Sequence, residues 1–301
     1  MNAPDNGLFG KFIVNRVDGR DAPGEKHAGC EYFVLDLSHD SHALPAIAAY
    51  AQSCEQEYPA LAADLKSKII GTEQAKSEFI LVPETTLPDG TIVASFRVAR
   101  YPMSKGASGA PLSVADRAPW VEINYEDTRK VCEDAGLKLI RETQMLAIAW
   151  DISQQAINWT GDKVGEGTLY QGLHKGSVDE AQPGNYESAD PAERSWHELS
   201  TGERIYHFSG NVYTWVFDDV QGDENGLVAK SFAADSISIT TPPVPSGEQG
   251  VGWYPPAGRD WSGSALARGG CWSSDVRAGV FYLNGGWPDG EYVVVGFRST
   301  L

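Results

Sequence analysis

The chain has 301 residues, 42% of them hydrophobic, and a formal net charge of −17 with a pI near 4.7. This length allows one large domain or two ordinary ones. The negative charge repels phosphate backbones and anionic lipid, which argues against nucleic acid and membrane surfaces as partners. The four cysteines are scattered without a CxxC pair, which argues against a zinc cage or a disulfide framework.

The chain also lacks the sequence signals of export and membrane insertion. Its first twelve residues, MNAPDNGLFGKF, contain no basic start followed by an apolar run, so no signal peptide is predicted. No window approaches the roughly 18 apolar residues that a membrane span needs. We therefore expect no membrane insertion and a cytoplasmic location as synthesised.

Residues 1–70 predict a small module of one strand and helix. Residues 30–37 (CEYFVLDL) are typical of a buried strand. From Ala43 to Leu65 the apolar residues have helical spacing, with an interruption at Pro59. Glycine and polar residues between 71 and 77 then indicate a linker to a second domain, 79–301.

His39 and His42 allow two interpretations. They could form a metal pair, with Cys30 or Cys54 as a further ligand, or they could be surface histidines at a helix N-terminus. A lone HxxH without further ligands at a recognisable spacing is weak evidence for a metal. We therefore expect no metal here.

From residue 79 onward the pattern changes to short strands, turns and aromatic residues, which favours a loop-rich α+β fold. The predicted elements are a hairpin of 91–93 with 95–98, a helix ended by Gly136, a second helix from Arg141 to Trp150, and a two-sided strand at 212–217.

The last segment, 268–301, has ends and an interior of different composition. Its ends predict a rigid frame, here named the frame: Arg268, Gly269, Gly270, Trp272, Gly296, Phe297 and Arg298. The interior is rich in Ser, Gly, Tyr and Trp, a composition typical of adaptable binding surfaces. We name its candidate ligand-binding residues the display: Ser273, Ser274, Asp275, Arg277, Tyr282, Gly285, Gly286, Trp287, Asp289, Gly290, Glu291, Tyr292, Val293 and Val294.

Within the display, Tyr282, Trp287 and Tyr292 are the expected anchors of a ligand, because aromatic rings offer large contact areas at low entropic cost. Arg277, Asp289 and Glu291 would set its polarity. A turn is predicted at 288–290, and the β-branched and aromatic runs 280–282 and 293–295 are typical of strands. The alternative is that the display is an ordinary surface loop.

Five motifs occur in a recognisable order: 119–125 (PWVEINY), 132–137 (CEDAGL), 210–215 (GNVYTW), 268–270 (RGG) and 296–298 (GFR). Their order resembles the formylglycine-generating-enzyme type of the C-type-lectin-like fold. The resemblance covers residues 79–301. It implies an irregular, loop-rich α+β domain of that type, preceded by the strand–helix module.

The C-terminal motifs are more specifically similar to the variable proteins of diversity-generating retroelements. In that family, reverse transcription rewrites adenines in the last coding segment, so that Asn codons become codons for other residues. Ser, Asp, Gly, Tyr, Val and Arg are reachable in this way, whereas Trp and Glu are not. Most of the display is thus reachable, while Trp272, Trp287 and Glu291 are not. The resemblance implies a variable region at 268–298 that binds a protein or cell-surface ligand.

The enzymes of this fold provide the second hypothesis. Oxygen-activating members bind copper through two cysteines after the RGG motif, and here only Cys271 is present. The related sulfoxide synthases need three histidines from a separate domain, which His39 and His42 do not supply. Thr214 stands where relatives carry Glu, which argues against a calcium site of the family's type. We expect no catalysis and no cofactor. His174, His207, Asp218, Asp219 and Glu166 are the candidates for an enzyme site elsewhere.

The third hypothesis is a structural role in a phage particle, with residues 1–70 as an assembly module. Variable proteins at phage tail tips are oligomeric, so the resemblance also implies a homo-oligomer. If the chain is phage-encoded, we expect it to be associated with the virion.

Overall fold

The computed structural model describes residues 12–40, 42–228 and 230–301. The chain divides into two compact units, Met1–Thr72 and Glu73–Leu301. None of the helices in these ranges has the length and apolarity that crossing a membrane requires.

The N-terminal unit is helical. Helix α1 spans Ala43–Cys54 and α2 spans Pro59–Gln74. Pro59 begins α2, where its missing N–H costs no helical hydrogen bond. The predicted strand at 30–37 is wrong: residues 30–36 have no regular structure, and Phe33 is 75% exposed. The described residues of this unit offer no second strand, and an unpaired strand leaves its backbone groups without partners. The predicted linker at 71–77 is also wrong at its start, since α2 continues to Gln74.

The C-terminal unit contains short strands and three further helices in its described residues. The helices are α3 (Tyr125–Asp134), α4 (Glu142–Ser153) and α5 (Ile237–Thr240). The strands are β1 (Phe79–Val82), β2 (Thr85–Thr86), β3 (Ile92–Val93), β4 (Phe96–Ala99), β5 (Ser104–Lys105), β6 (Pro111–Leu112), β7 (Lys138–Leu139), β8 (Trp196–Glu198), β9 (Arg204–Tyr206), β10 (Tyr213–Val216), β11 (Ala265–Arg268), β12 (Leu283–Gly286), β13 (Val295–Phe297) and β14 (Ser299–Thr300).

Two four-stranded sheets organise this unit. One has the antiparallel order β1-β4-β14-β7. The last strand of the unit, β14, therefore pairs with β4 and β7, which come much earlier in the sequence. The other has the order β12-β11-β10-β13, in which only β10 and β13 are parallel. Three two-stranded pairs, β2-β3, β5-β6 and β8-β9, complete the strands. The predicted hairpin of 91–93 with 95–98 is wrong, because β3 pairs with β2 and β4 pairs with β1 around it.

The two longer helices of this unit begin as their sequences predict, and α3 also ends as predicted, whereas α4 continues to Ser153, beyond its expected end at Trp150. The Asn124 side chain accepts a hydrogen bond from the Asp127 N–H, which caps α3. Gly136 follows α3 with φ +71°, the left-handed conformation that glycine adopts without strain. At the start of α4 the Gln144 side chain accepts the Arg141 N–H. Helix α4 is buried along most of its length and packs into the larger core cluster.

The second sheet separates two clusters of buried residues. Because side chains alternate along a strand, Val216 and Leu266 face the cluster that contains α4, whereas Trp215 and Ala267 face the cluster that contains α3. The predicted α+β class with irregular, loop-rich structure is confirmed. The predicted strand character of 280–282 is wrong, and in 293–295 only Val295 belongs to a strand.

Candidate functional site

The first arginine of the frame is held by a buried ion pair. The Arg268 Nε donates to Glu142 Oε2 at 2.6 Å, and Nη2 donates to the other oxygen of the same carboxylate. Nη1 donates to the Phe281 carbonyl at 3.2 Å, and Ser238 Oγ donates to Glu142 at 2.7 Å. Both charged side chains are fully buried. A bidentate pair of this kind fixes β11 against the start of α4.

The second arginine of the frame is held by carbonyl groups. Arg298 is fully buried and donates to the Ala99 and Tyr206 carbonyls at 2.5 and 2.6 Å. Burial lowers the pKa of this guanidinium to about 9. Arg298 therefore joins the C-terminal strand region to β4 and β9 through backbone contacts.

The paired glycines and Trp272 fix the turn after β11. Gly269 and Gly270 have φ near +89° and +88°, and a Cβ at Gly270 would lie 2.9 Å from the Ala278 Cα. A residue other than glycine would be strained by the positive φ at both positions, and at Gly270 its Cβ would also clash. Trp272 is buried against Leu173 and Val212. All seven residues of the frame lie in the buried part of the unit.

The display forms two separate surface segments. The first, 273–277, contains a 3₁₀ turn at Asp275–Arg277, and the second, 284–294, contains the predicted turn, closed by a hydrogen bond from the Gly290 N–H to the Trp287 carbonyl at 3.0 Å. The exposed side chains of the display are Ser273, Asp275, Arg277, Trp287, Asp289, Glu291 and Val293; Tyr292 and Val294 are half-buried, as are Gly285, Gly286 and Gly290. Trp287 is 70% exposed, which is unusual for so large a ring.

Main-chain contacts hold the second segment in place. The Pro288 carbonyl accepts the Tyr125 N–H at 2.9 Å, and the Tyr292 carbonyl accepts the Glu122 N–H at 3.0 Å. The Val294 carbonyl accepts the Tyr213 N–H at 2.8 Å. These bonds use backbone groups of the segment, so they do not depend on which side chains it carries.

The first segment is held in the same way. The Asp275 N–H donates to the His174 carbonyl at 2.8 Å, and the Arg277 carbonyl accepts the Trp253 N–H at 2.9 Å. The Gln171 side chain donates to the Val276 and Ala278 carbonyls. Both segments thus combine a fixed backbone with outward side chains.

Two members of the display are not on the surface, which corrects their expected exposure. Ser274 is buried, and its hydroxyl accepts the Cys271 N–H at 2.8 Å. Tyr282 is buried as well, with its hydroxyl 3.3 Å from that of Tyr213. The Tyr213 hydroxyl also lies 2.9 Å from Ser274 Oγ, and burial raises the pKa of this phenol. These hydroxyls link Ser274 of the first segment to Tyr282 through Tyr213, and the side-chain amide of Asn284 in the second segment donates to the Tyr282 hydroxyl at 3.3 Å.

A cleft of about 360 Å³ opens beside the second segment. Its volume lies in the range of small-ligand sites, at the lower end. The display contributes five of its lining residues: Gly285, Gly286, Trp287, Tyr292 and Val294. The rest are residues of the second sheet, together with Ser264 directly before β11: Tyr213, Trp215, Ser264, Ala267, Asn284 and Val295.

Sequence reasoning missed several residues of the cleft. Tyr213 and Trp215 are two residues apart in β10 and therefore face the same side of the strand. The two-sided pattern predicted for 212–217 is enough to place them together. Asn284 lines the cleft from β12 and is not among the predicted display residues. Ala267 carried no signal, because the pairing of β11 with β12 brings it to the cleft, and Ser264, which comes directly before β11, carried none either.

The residues considered for an enzyme site are dispersed and make structural contacts. Asp219 accepts hydrogen bonds from the N–H and hydroxyl of Thr143, at the start of α4. Asp218 caps a turn, and burial raises its pKa to about 6. The remaining three have contacts of their own: His174 with the Gly172 carbonyl, His207 with the Pro183 carbonyl, and Glu166 with Lys163.

No group of three or more His, Cys, Asp or Glu residues is placed to hold a metal ion in the part of the chain that the structure describes. Cys271 is buried, with its sulfur 3.5 Å from the Ser273 hydroxyl. His39 pairs with Asp36 at 2.9 Å on the surface of the N-terminal unit. Thr214 is buried in β10 opposite Arg268 and Gly296.

No protein-family model and no curated protein matches the chain. Several solved structures are similar to it. PvdO from Pseudomonas aeruginosa matches at 14% identity and a TM-score of 0.40, over 74% of this chain and 91% of that one. Treponema denticola variable protein 1 matches at 14% identity and a TM-score of 0.33, over 74% of this chain and 94% of that one.

The U1 variant of the Major Tropism Determinant matches at 15% identity and a TM-score of 0.36. The match covers 75% of this chain and 54% of that protein, so this chain corresponds to about half of its length. Proteins named as variable proteins and tropism determinants are therefore among the structures to which this chain is similar.

Proposed function

We propose that this chain is a ligand-binding protein that recognises a partner protein or cell-surface ligand through the display and the cleft beside it. The observation that carries the proposal is Trp287, a ring 70% exposed at the edge of an aromatic cleft. Exposed tryptophans in well-supported positions are typical centres of protein interfaces.

The second support is the way in which the display is built. Its carbonyl groups at Val294 and Tyr292 accept the N–H groups of Tyr213 and Glu122, and the Asp275 N–H donates to the His174 carbonyl. Most of its side chains, by contrast, point outward. A rigid backbone lowers the entropy lost on binding, because the loop is already ordered. The same arrangement tolerates many side chains, which is what a diversified surface requires.

We also propose that a retroelement diversifies this surface through adenine mutagenesis. The test is the DNA beside the coding region. A near-copy of the segment encoding 268–298, with adenines at the mismatches and an adjoining reverse transcriptase gene, is the expected result. The mismatched codons should fall on exposed positions such as Ser273, Asp289 and Val293, and not on buried Trp272 or Phe281. Absence of both the copy and the gene would contradict diversification.

A binding role without catalysis is supported by the structural contacts of the candidate acids and histidines described above. The corresponding test is the metal content of the purified protein, measured by mass spectrometry. We expect no stoichiometric copper or iron. A stoichiometric redox metal would contradict the proposal and favour an enzyme of the oxygen-activating kind.

Recognition itself is tested by a binding experiment on candidate host surface proteins. Trp287→Ala should abolish binding of any partner found, and Ile92→Ala is a matched control. Ile92 is 66% exposed on β3, outside the display. Equal loss in both variants would contradict a role for the display.

A further inference from the structure

The chemistry of the cleft indicates what kind of group it accepts. Three of its walls are aromatic: Tyr213, Trp287 and Tyr292, with the buried Trp215 behind them. The Trp215 and Tyr292 rings lie 5.9 Å apart at an angle of 56°, so their faces are not stacked on each other. The lining contains no charged side chain. Aromatic faces of this kind attract cations as well as apolar groups.

Glycine keeps the cleft open beside these rings. A Cβ at Gly286 would lie 2.9 Å from Trp215 Cη2 and 3.7 Å from Tyr292 Cε2. A Cβ at Gly290 would lie 2.3 Å from the Tyr292 hydroxyl. A side chain at Gly286 would therefore press on the Trp215 ring, and a side chain at Gly290 would displace the Tyr292 ring; both rings line the cleft. The volume of the cleft depends on which residues the display carries there.

The charged residues near the cleft favour a cationic occupant over an apolar one. The two charged residues between 287 and 294 are the carboxylates Asp289 and Glu291, and both are exposed. Over the whole stretch 273–294 three carboxylates stand against the single cation Arg277. The chain as a whole carries −17. A ligand that approaches this surface meets a negative potential.

On these grounds we propose that the cleft accepts a cationic side chain, arginine or lysine, of the partner protein. The guanidinium or ammonium group lies against Trp287 and Tyr292, and Asp289 and Glu291 attract it from the rim. The inference rests on the proposed function, since it names the chemistry recognised at the same surface.

The test uses the full chain and short peptides. The probes are acetyl-Gly-Arg-Gly-amide and its lysine counterpart, with norleucine and glutamate peptides as neutral and acidic controls. The indole N–H resonance of Trp287 reports binding, and its loss in Trp287→Leu assigns it. We expect the arginine and lysine peptides to bind about fivefold more tightly than the norleucine peptide. Their affinity should fall with added salt.

A pair of double variants tests the role of the rim. Asp289→Asn/Glu291→Gln should weaken the cationic peptides at least threefold and leave the norleucine peptide unchanged. Glu84→Gln/Glu224→Gln makes the same change in net charge at two exposed residues outside the display and should change nothing. Equal effects of the two double variants would overturn the rim's role and with it the inference.

The outcomes separate the inference from the proposed function. If the norleucine peptide binds as tightly as the arginine peptide, the cleft is a binding site for apolar groups, and the cationic inference is wrong while the proposed function stands. If no peptide shifts the Trp287 resonance, both the inference and recognition through the cleft are contradicted.

Discussion

The frame and the display are neighbours in sequence but differ in what fixes them. The frame is buried and is fixed by its side chains, most clearly by Arg268 with Glu142 and by Arg298 with carbonyl groups. The display is mostly exposed and is fixed by its backbone, through carbonyl groups such as those of Pro288, Tyr292 and Val294. Side-chain identity should therefore matter greatly in one and little in the other.

The largest expected effect is at the buried ion pair. Arg268→Met leaves the Glu142 carboxylate buried without its partner, which typically costs about 3–5 kcal/mol of unfolding free energy. Urea denaturation measures the change. The control is Lys163→Met, which breaks the exposed pair with Glu166 and should cost less than about 1 kcal/mol. A loss below about 1 kcal/mol in Arg268→Met would contradict the structural role of the frame.

The next effect concerns Gly270. Gly270→Ala forces an L-residue to φ +88° and places its Cβ 2.9 Å from the Ala278 Cα, so we expect a loss of about 3 kcal/mol. Gly263→Ala is the matched control, with φ +81° and no atom within 4 Å of its Cβ. The control should lose only the conformational part, about 1–2 kcal/mol. Equal losses would mean that the close approach at Gly270 has no cost.

A smaller effect is a pH dependence of the unfolding free energy, which arises from His207 beside Arg298 of the frame. Burial lowers the pKa of His207 to about 4, while its backbone carbonyl accepts a hydrogen bond from Arg298. The unfolded state thus binds a proton below about pH 6.5, and the folded state does so only near pH 4. Stability from this group is present at neutral pH and is lost as the pH falls through that window.

Urea denaturation at several pH values between 7.5 and 5 tests this prediction. Below pH 6, the plot of unfolding free energy against pH should be less steep in His207→Gln, by about 1.4 kcal/mol per pH unit. An unchanged slope in His207→Gln would show that His207 does not stay neutral in the folded protein.

The last effect lies inside the display, at Asp275. Its φ is +51°, a region that Asp and Asn tolerate and β-branched residues do not. Asp275→Asn should be neutral, whereas Asp275→Val should cost about 1–2 kcal/mol, measured by thermal or urea unfolding. Equal stability of the two variants would mean that the backbone of this segment relaxes freely. The display would then be less fixed than the comparison requires.

The parts of the fold that follow local rules were predictable from the sequence. Three features depend only on neighbours within a few residues: the helix around Cys132 with its end at Gly136, the start of α4, and the shared face of Tyr213 and Trp215. The RGG motif led to the assignment of Arg268 to a rigid frame. Its partner Glu142 was not predicted, since 126 residues separate them.

The predictions that proved wrong have one cause in common, because each depends on contacts between residues that are far apart in the sequence. Residues 30–37 have the composition of a strand but no partner strand in the described part of their unit. β3 and β4 have the spacing of a hairpin, yet β1 and β2 compete for them and pair in a nested arrangement. Ser274 and Tyr282 have the composition of a binding surface but point inward to Tyr213. Composition predicts a residue's class of environment and does not decide which face it occupies.

The most direct test of the central claim replaces six of the seven exposed display residues at once and keeps Asp275, whose φ is +51°. A variant with Ala at Ser273, Arg277, Trp287, Asp289, Glu291 and Val293 keeps every backbone contact described above. Because exposed substitutions usually change stability by no more than about 0.5 kcal/mol each, we predict that its unfolding free energy stays within about 3 kcal/mol of the parent, with an unchanged circular dichroism spectrum. Loss of the folded state would contradict the account, because the display would then be part of what holds the fold together.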